Sequence, residues 1–112
     1  MTTTDVSVTE QLAGRLFEAG LGAFELTTAL LGERLGLYRA LADGPLTAPA
    51  LAAATATDER YGREWCEQQA VADLIAVDDP GAAPDERRYR MLPGSEAVLL
   101  DELSPAYLVQ LG

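Results

Sequence analysis

The chain has 112 residues, a net charge of −10, 48% hydrophobic residues, one cysteine and no histidine. That is enough for one domain with one modest core, and too apolar for a disordered chain. It excludes an internal disulfide and a Cys/His metal site, shows no secretory leader or membrane-length apolar run, and lacks the basic surface of a duplex binder, so a soluble cytoplasmic protein is expected.

Residues 1–8 are polar and Thr-rich, which predicts a flexible end. From Thr9 the spacing turns helical, with Leu12, Leu16 and Phe17 on one face and Glu10, Gln11, Arg15 and Glu18 facing away. Gly20 and Gly22 predict a break. Leu21 to Ala42 is the longest apolar stretch, with Phe24, Leu31, Leu35, Tyr38 and Ala42 on one stripe. Leu26, Leu30, Leu37 and Leu41 widen it, so more than one side is apolar. Such a helix is covered by more than its own domain or by a partner. Gly32 and Gly36 predict a helix break or a close interhelical crossing. Phe17, Phe24, Leu31, Leu35 and Tyr38 are therefore candidate dimer or pocket-lining residues, within an N-terminal helical region spanning residues 9–44. A homodimer through the Leu21–Leu41 helix is one reading; the core helix of a small domain is the other.

Asp43-Gly44-Pro45 stops that helix. Leu46 is expected to make a single strand bridge, and Thr47 to cap a short helix with Pro49 in its first turn. Thr57 is the expected N-cap of the next helix, which carries Tyr61, Trp65, Cys66, Gln69, Ala70 and Ala72 on its inner side. Its outer side offers three pairs of opposite charge four residues apart: Glu59–Arg63, Arg60–Glu64 and Arg63–Glu67. Leu74 to Val77 is a short strand, Asp78-Asp79-Pro80-Gly81 a turn, and Arg87 to Leu92 a returning strand in which Tyr89 and Met91 alternate with Arg88 and Arg90. Helix, turn, helix and hairpin make residues 45–93 a winged helix-turn-helix. Residues 94–112 read as short C-terminal helices, one at Glu96–Asp101 and one beginning at Ser104-Pro105. The second is too short to stand alone, so it must dock on something or lead towards further polypeptide. The expected fold is mainly α: a winged helix-turn-helix with extra N-terminal helices and a short two- or three-stranded antiparallel wing.

No reaction centre emerges. General acid–base work at neutral pH most often uses His, which is absent. The acidic pairs Asp78/Asp79 and Asp101/Glu102 lie in turns, where carboxylates are ordinarily solvated. Cys66 has no His or helix N-terminus to activate it, so it is expected to be a buried structural thiol. Gly20-Leu21-Gly22 follows a helix rather than a strand and lacks the remaining spacing of a phosphate cradle. From Asp58 to Leu74 five acidic residues stand against two arginines, a charge that opposes entry into a major groove. Arg87, Arg88 and Arg90 are the candidate DNA contacts if the wing touches phosphate.

The segment Leu30-Leu31-Gly32-Glu33-Arg34-Leu35-Gly36-Leu37-Tyr38-Arg39-Ala40-Leu41, together with Thr57 to Tyr61, Arg63-Glu64-Trp65 and Glu67-Gln68-Gln69-Ala70, resembles the N-terminal winged-helix domain of bacterial S-adenosylmethionine-dependent methyltransferases. Leu92-Pro93 and Leu99-Leu100-Asp101-Glu102 fit the same pattern, so the likeness runs from about Leu16 to Leu111. Three positions depart from it: Gly62 and Cys66, where larger apolar residues are usual, and Asp73, where Gly often ends the helix.

The resemblance implies a longer protein, in which a downstream Rossmann-like domain holds S-adenosylmethionine. The winged-helix domain of that family serves dimerisation and covers the small-molecule pocket. It supplies no catalytic, cofactor-binding or metal residue, and none is carried over here. The expected function is thus a non-catalytic module of a small-molecule methyltransferase, with a second copy, the downstream domain and the substrate as partners, and with nucleic acid and membrane contacts not expected. The alternatives are a free-standing winged-helix transcriptional regulator and a protein–protein adaptor.

Overall fold

A computed structural model describes residues 3–111 of the chain. Helix α1 spans Thr3–Arg34 and is followed by α2 (Leu37–Ala42), β1 (Leu46–Thr47), α3 (Ala48–Thr55), α4 (Glu59–Val71), β2 (Ile75–Val77), β3 (Arg88–Met91), α5 (Glu96–Leu99) and a 3-10 turn at Val109–Leu111. The three strands form one antiparallel sheet in the order β1-β3-β2, with Leu46 opposite Tyr89 and Ile75 opposite Met91. This is the expected mainly helical winged helix-turn-helix.

The N-terminal region differs from its sequence reading. The flexible end expected at residues 1–8 lies partly outside the described residues; from Thr3 onward it is already helix. The break expected at Gly20 and Gly22 is absent, because both keep right-handed helical backbone inside α1. Each costs about 1 kcal/mol relative to Ala, which the Ala, Leu and Glu residues around them outweigh. The break falls at Gly36, the later of the positions at which one was expected, whose φ of 78° is a left-handed conformation that glycine adopts without steric penalty. Gly36 N–H donates to the Glu33 carbonyl at 3.1 Å, ending α1 and turning the chain into α2.

The helix-turn-helix is built on small residues. Thr47 caps α3, its hydroxyl accepting from Ala50 N–H at 3.3 Å, and Ala56 closes α3 with a left-handed φ of 55°. The cap of α4 is Asp58, not Thr57: the Asp58 carboxylate accepts from Tyr61 N–H at 3.0 Å, while the Thr57 hydroxyl pairs with that of Thr55 at 3.0 Å. A carboxylate beside the positive end of a helix dipole is the stronger of the two caps. Gly62 leaves no void. A Cβ there would stand 3.3 Å from the Cβ of Ala52, so the missing volume is taken up by close approach of α3 and α4. Asp73 closes the end of α4 at φ 60°, the left-handed position a glycine often fills and one that Asp tolerates.

The core lies between α2, α3, α4 and the inner face of the sheet, with Leu37, Tyr38, Leu41, Leu51, Ile75 and Tyr89 fully buried or nearly so. Along β3, Tyr89 and Met91 point inward and Arg88 is exposed, as the alternation predicts. Of the three expected ion pairs along α4, Arg60–Glu64 forms at 3.2 Å. Arg63 reaches instead to Asp85 in the wing loop, at 3.6 Å. The C-terminal helix expected from Ser104 does not form. Ser104 Oγ accepts from Ala106 N–H at 3.1 Å, a turn that competes with helix initiation. The chain then reaches the 3-10 turn, which buries Val109 beside α1.

Candidate functional site

Helix α1 joins the body only through its C-terminal part. Residues 4–21 are exposed throughout, and the first fully buried side chain is Ala29. A 32-residue helix is about 48 Å long, and α1 gives the molecule its longest dimension of 56 Å. This arm is not polar. Leu12, Leu16, Phe17, Leu21 and Phe24 are all about half exposed or more, Phe17 reaching 69%. A monomeric protein seldom leaves contiguous apolar surface of more than a few hundred Å² uncovered.

Four of the five residues singled out from the sequence lie on this surface. Phe17 and Phe24 are strongly exposed, and Leu31 and Leu35 are exposed at 38% each. Phe24 also lines a cleft of about 490 Å³ between α1 and α4. Leu21 and Val71 line it as well, with Glu25, Glu64 and Glu67. Leu35 lines a different cleft, of about 580 Å³, beside Arg39, Asp43 and Leu46. Tyr38 takes no part in either surface. It is wholly buried, stacked edge-on against Trp65 with ring centres 5.1 Å apart, and its hydroxyl donates to Gln69 Oε1. Burial without a compensating charge pushes its phenol pKa upward.

Sequence reasoning missed Leu16 and Val71 as parts of this surface, although Val71 is 85% exposed. Leu16 reads on one face with Phe17, and only the aromatic of the two is singled out. Val71 sits at the last position of α4, where helical periodicity no longer fixes direction.

The wing arginines are mostly engaged. Arg90 Nε donates to Asp78 Oδ1 at 2.6 Å, and Arg87 Nε donates to the Ala82 carbonyl at 2.9 Å. Arg88 remains exposed, its backbone N–H donating to Asp79 Oδ1 at 2.8 Å. The outward side of α4, where a recognition helix would meet DNA, presents Glu59, Glu64 and Glu67 beside Arg60 and Arg63. That arrangement holds the guanidinium groups inside the protein's own ion pairs rather than offering a phosphate-binding face.

Cys66 lies wholly inside the body. Burial, with the nearby Glu67 carboxylate, pushes its thiol up to about 12, so almost no thiolate exists near neutrality. Gly20 and Gly22 lie in mid-helix and the three-stranded sheet is antiparallel, so Gly20-Leu21-Gly22 is not a strand-to-helix turn. Among the described residues no group of three or more His, Cys, Asp or Glu side chains could hold a metal ion, and no helix is long and apolar enough to cross a membrane.

The family model described as an Rv2258c-like winged HTH domain matches residues 22–102. No curated protein matches the chain. Among solved structures, the mitomycin 7-O-methyltransferase MmcR is 26% identical, with a TM-score of 0.66 over 93% of this chain and 28% of its own. The N,N-8-amino-8-demethyl-D-riboflavin dimethyltransferase RosA from Streptomyces davawensis is 25% identical, with a TM-score of 0.64 over 81% of this chain and 25% of its own. Human N-acetylserotonin methyltransferase, solved in complex with SAM, is 22% identical with a TM-score of 0.67 over 85% of this chain and 27% of its own, a likeness of fold. The chain therefore spans little more than a quarter of the length of these enzymes.

Proposed function

Because this chain belongs to the Rv2258c-like winged helix-turn-helix domain family, we propose that it is the non-catalytic N-terminal module of a small-molecule S-adenosylmethionine-dependent methyltransferase. In this reading α1 carries the contact with a second copy and helps cover the substrate pocket. The cofactor and the bond-making residues are supplied by further polypeptide. The likeness to the two methyltransferases of 25% and 26% identity supports the assignment to such an enzyme.

One observation carries the assembly role: the uncovered apolar side chains of α1. Nine large apolar residues of α1, from Val6 to Leu31, are exposed, and Leu35 follows just past its end. Those on α1 fall on two sides of the helix, Phe17, Leu21, Phe24 and Leu31 on one and Leu12, Leu16 and Leu26 towards the other, and the first of these carries the two phenylalanines. The contact is centred on the projecting half, Leu12 to Phe24, rather than on the whole Leu21–Leu41 segment. Leu37, Tyr38 and Leu41 are spent on the domain's own core.

Sedimentation tests this. The wild-type chain is expected to be dimeric, and Leu16→Glu with Phe17→Glu to convert it to a folded monomer. A monomeric wild type removes the assembly role, and partners of other kinds would then be sought for α1. Calorimetry tests the rest: the 112-residue chain is expected to bind no S-adenosylmethionine, and tight binding by it alone would end the non-catalytic reading.

A further inference from the structure

Gln69 is the one buried polar side chain among the described residues. It lies on α4, yet two of its three partners belong to other helices. Its Oε1 accepts from the Tyr38 hydroxyl of α2. Its Nε2 donates to Thr28 Oγ1 of α1 at 3.2 Å and to Gln68 Oε1 at 2.8 Å. The Thr28 hydroxyl donates back to the Glu25 carbonyl at 3.0 Å, which leaves its oxygen free to accept from Gln69. The relay therefore has a single direction: Tyr38 O–H to Gln69 carbonyl, Gln69 N–H to Thr28 oxygen, Thr28 O–H to the helix backbone. Beside it, Trp65 Nε1 donates to the Thr28 carbonyl at 3.1 Å.

This node stands where the arm leaves the body. On the N-terminal side of Thr28 no side chain of α1 is fully buried. On the other side the chain turns at Gly36, a glycine in left-handed conformation. The arm from Thr3 to Thr27 is about 37 Å long, so a tilt of about 10° at its base would move its tip by about 6 Å.

We propose that the Tyr38–Gln69–Thr28 relay is a latch that fixes the angle of the α1 arm against the winged-helix body, with Gln69 as the positioning residue. Apolar contacts alone would hold the base of α1 without specifying its rotation, since they are not directional. A fully satisfied buried polar relay admits one arrangement. The latch thus decides where the arm's apolar face points, whatever covers that face.

Spin labels at Gln11→Cys and Glu86→Cys, with Cys66 left buried and unlabelled, give the test. Labelled protein is diluted into unlabelled protein, so that only distances within one chain are read by double electron–electron resonance. The wild type is expected to give a narrow distribution. Gln69→Leu and Thr28→Val are each expected to widen it at least about 1.5-fold, while Thr28→Ser, which keeps the hydroxyl, stays at the wild-type width. Thr28 is only half-buried, so Thr28→Val keeps the test decisive if Gln69→Leu fails to fold. Wild-type width in folded Thr28→Val, or equal widening in Thr28→Ser, would overturn the latch. All the labelled proteins carry Leu16→Glu with Phe17→Glu, which removes the proposed dimer contact, so neither result depends on dimer formation and the latch can fail while the proposed function stands, and the reverse.

Discussion

Replacing Gly32 by Ala tests the contact that ties α1 to the body. In an open helix the change would stabilise by about 1 kcal/mol, because Ala loses less backbone entropy. Gly32 is not open. A Cβ there would lie 2.4 Å from Trp65 Cζ2 and 2.9 Å from Tyr38 Cε2, where carbon atoms prefer about 3.5–4.0 Å. One ring must move by about 1 Å. Neither moves freely: Trp65 is held by its N–H bond to the Thr28 carbonyl, and Tyr38 by its bond to Gln69. Overpacking of this kind costs about 1–3 kcal/mol, and disturbing one of those hydrogen bonds adds about 1 kcal/mol. After the helix gain is subtracted, Gly32→Ala is expected to destabilise by about 1–3 kcal/mol, a fall in Tm of roughly 4–12 °C for a domain of this size. Gly20→Ala is the control, since nothing lies within 4 Å of its Cβ position, and it is expected to leave Tm unchanged or raise it. Urea unfolding and calorimetry read both. A Gly32→Ala protein as stable as the wild type would mean that α1 does not cross Trp65 and Tyr38 at this distance, and the description of the arm's base would be wrong.

Asp58→Ala is expected to cost about 1 kcal/mol of unfolding free energy and Thr57→Ala clearly less, because the Asp58 carboxylate holds the α4 amide; the reverse order would restore Thr57 as the cap. Alkaline pH is expected to weaken the fold. Unfolded, the Cys66 thiol loses its proton near 9, whereas burial holds it up to about 12 in the folded chain. The unfolded state therefore binds fewer protons between those values, and stability, unaffected below about pH 9, falls as pH rises through the window. The buried Tyr38 phenol adds in the same direction above its ordinary value of 10. The urea midpoint should stay level from about pH 7 to 8.5 and then drop towards pH 11, less steeply in Cys66→Ala; a midpoint independent of pH would contradict the burial of both groups.

Much of the winged-helix body was legible because its signals are local. Pro49 after a capping Thr47, the alternation of Tyr89 and Met91 with Arg88 and Arg90, and the turn residues Asp79-Pro80-Gly81 each specify their own neighbourhood. What escaped depends on contacts between distant residues. Glycine at position 20 or 22 looks the same in sequence as glycine at 36, yet only Gly36 takes a positive φ among the three, because only there does the chain have to turn onto the body. Tyr38 shares a stripe with Phe24 and Leu31, but the turn at Gly36 rotates α2 and sends Tyr38 into the core. Gln69 reads as one more polar residue near the end of a helix. Its burial follows from Tyr38 and Thr28, 31 and 41 residues away along the chain, and no periodicity within α4 encodes that. The cap of α4 fell one residue later than expected, because Thr57 and Asp58 are both good capping residues and the backbone chose between them.

The division of labour between body and arm follows from where the charges went. A helix-turn-helix that reads DNA needs cations free on its second helix or its wing. Here Arg60 pairs with Glu64 within α4, Arg63 with Asp85 from α4 to the wing loop, and Arg90 with Asp78 within the wing. Those exposed pairs contribute little stability individually, about 0–1 kcal/mol each, and each sets a carboxylate beside a cation that phosphate contact would use. The winged-helix shape thus comes with a net charge of −10, and fold alone does not decide function. The surface proposed for assembly lies elsewhere, on a helix whose large apolar side chains are exposed among the described residues and whose base carries the Tyr38–Gln69–Thr28 relay. A rigidly aimed apolar arm on an acidic body suits assembly with protein: apolar burial can outweigh the repulsion between like-charged copies at physiological ionic strength, where charges more than about 8 Å apart are largely screened.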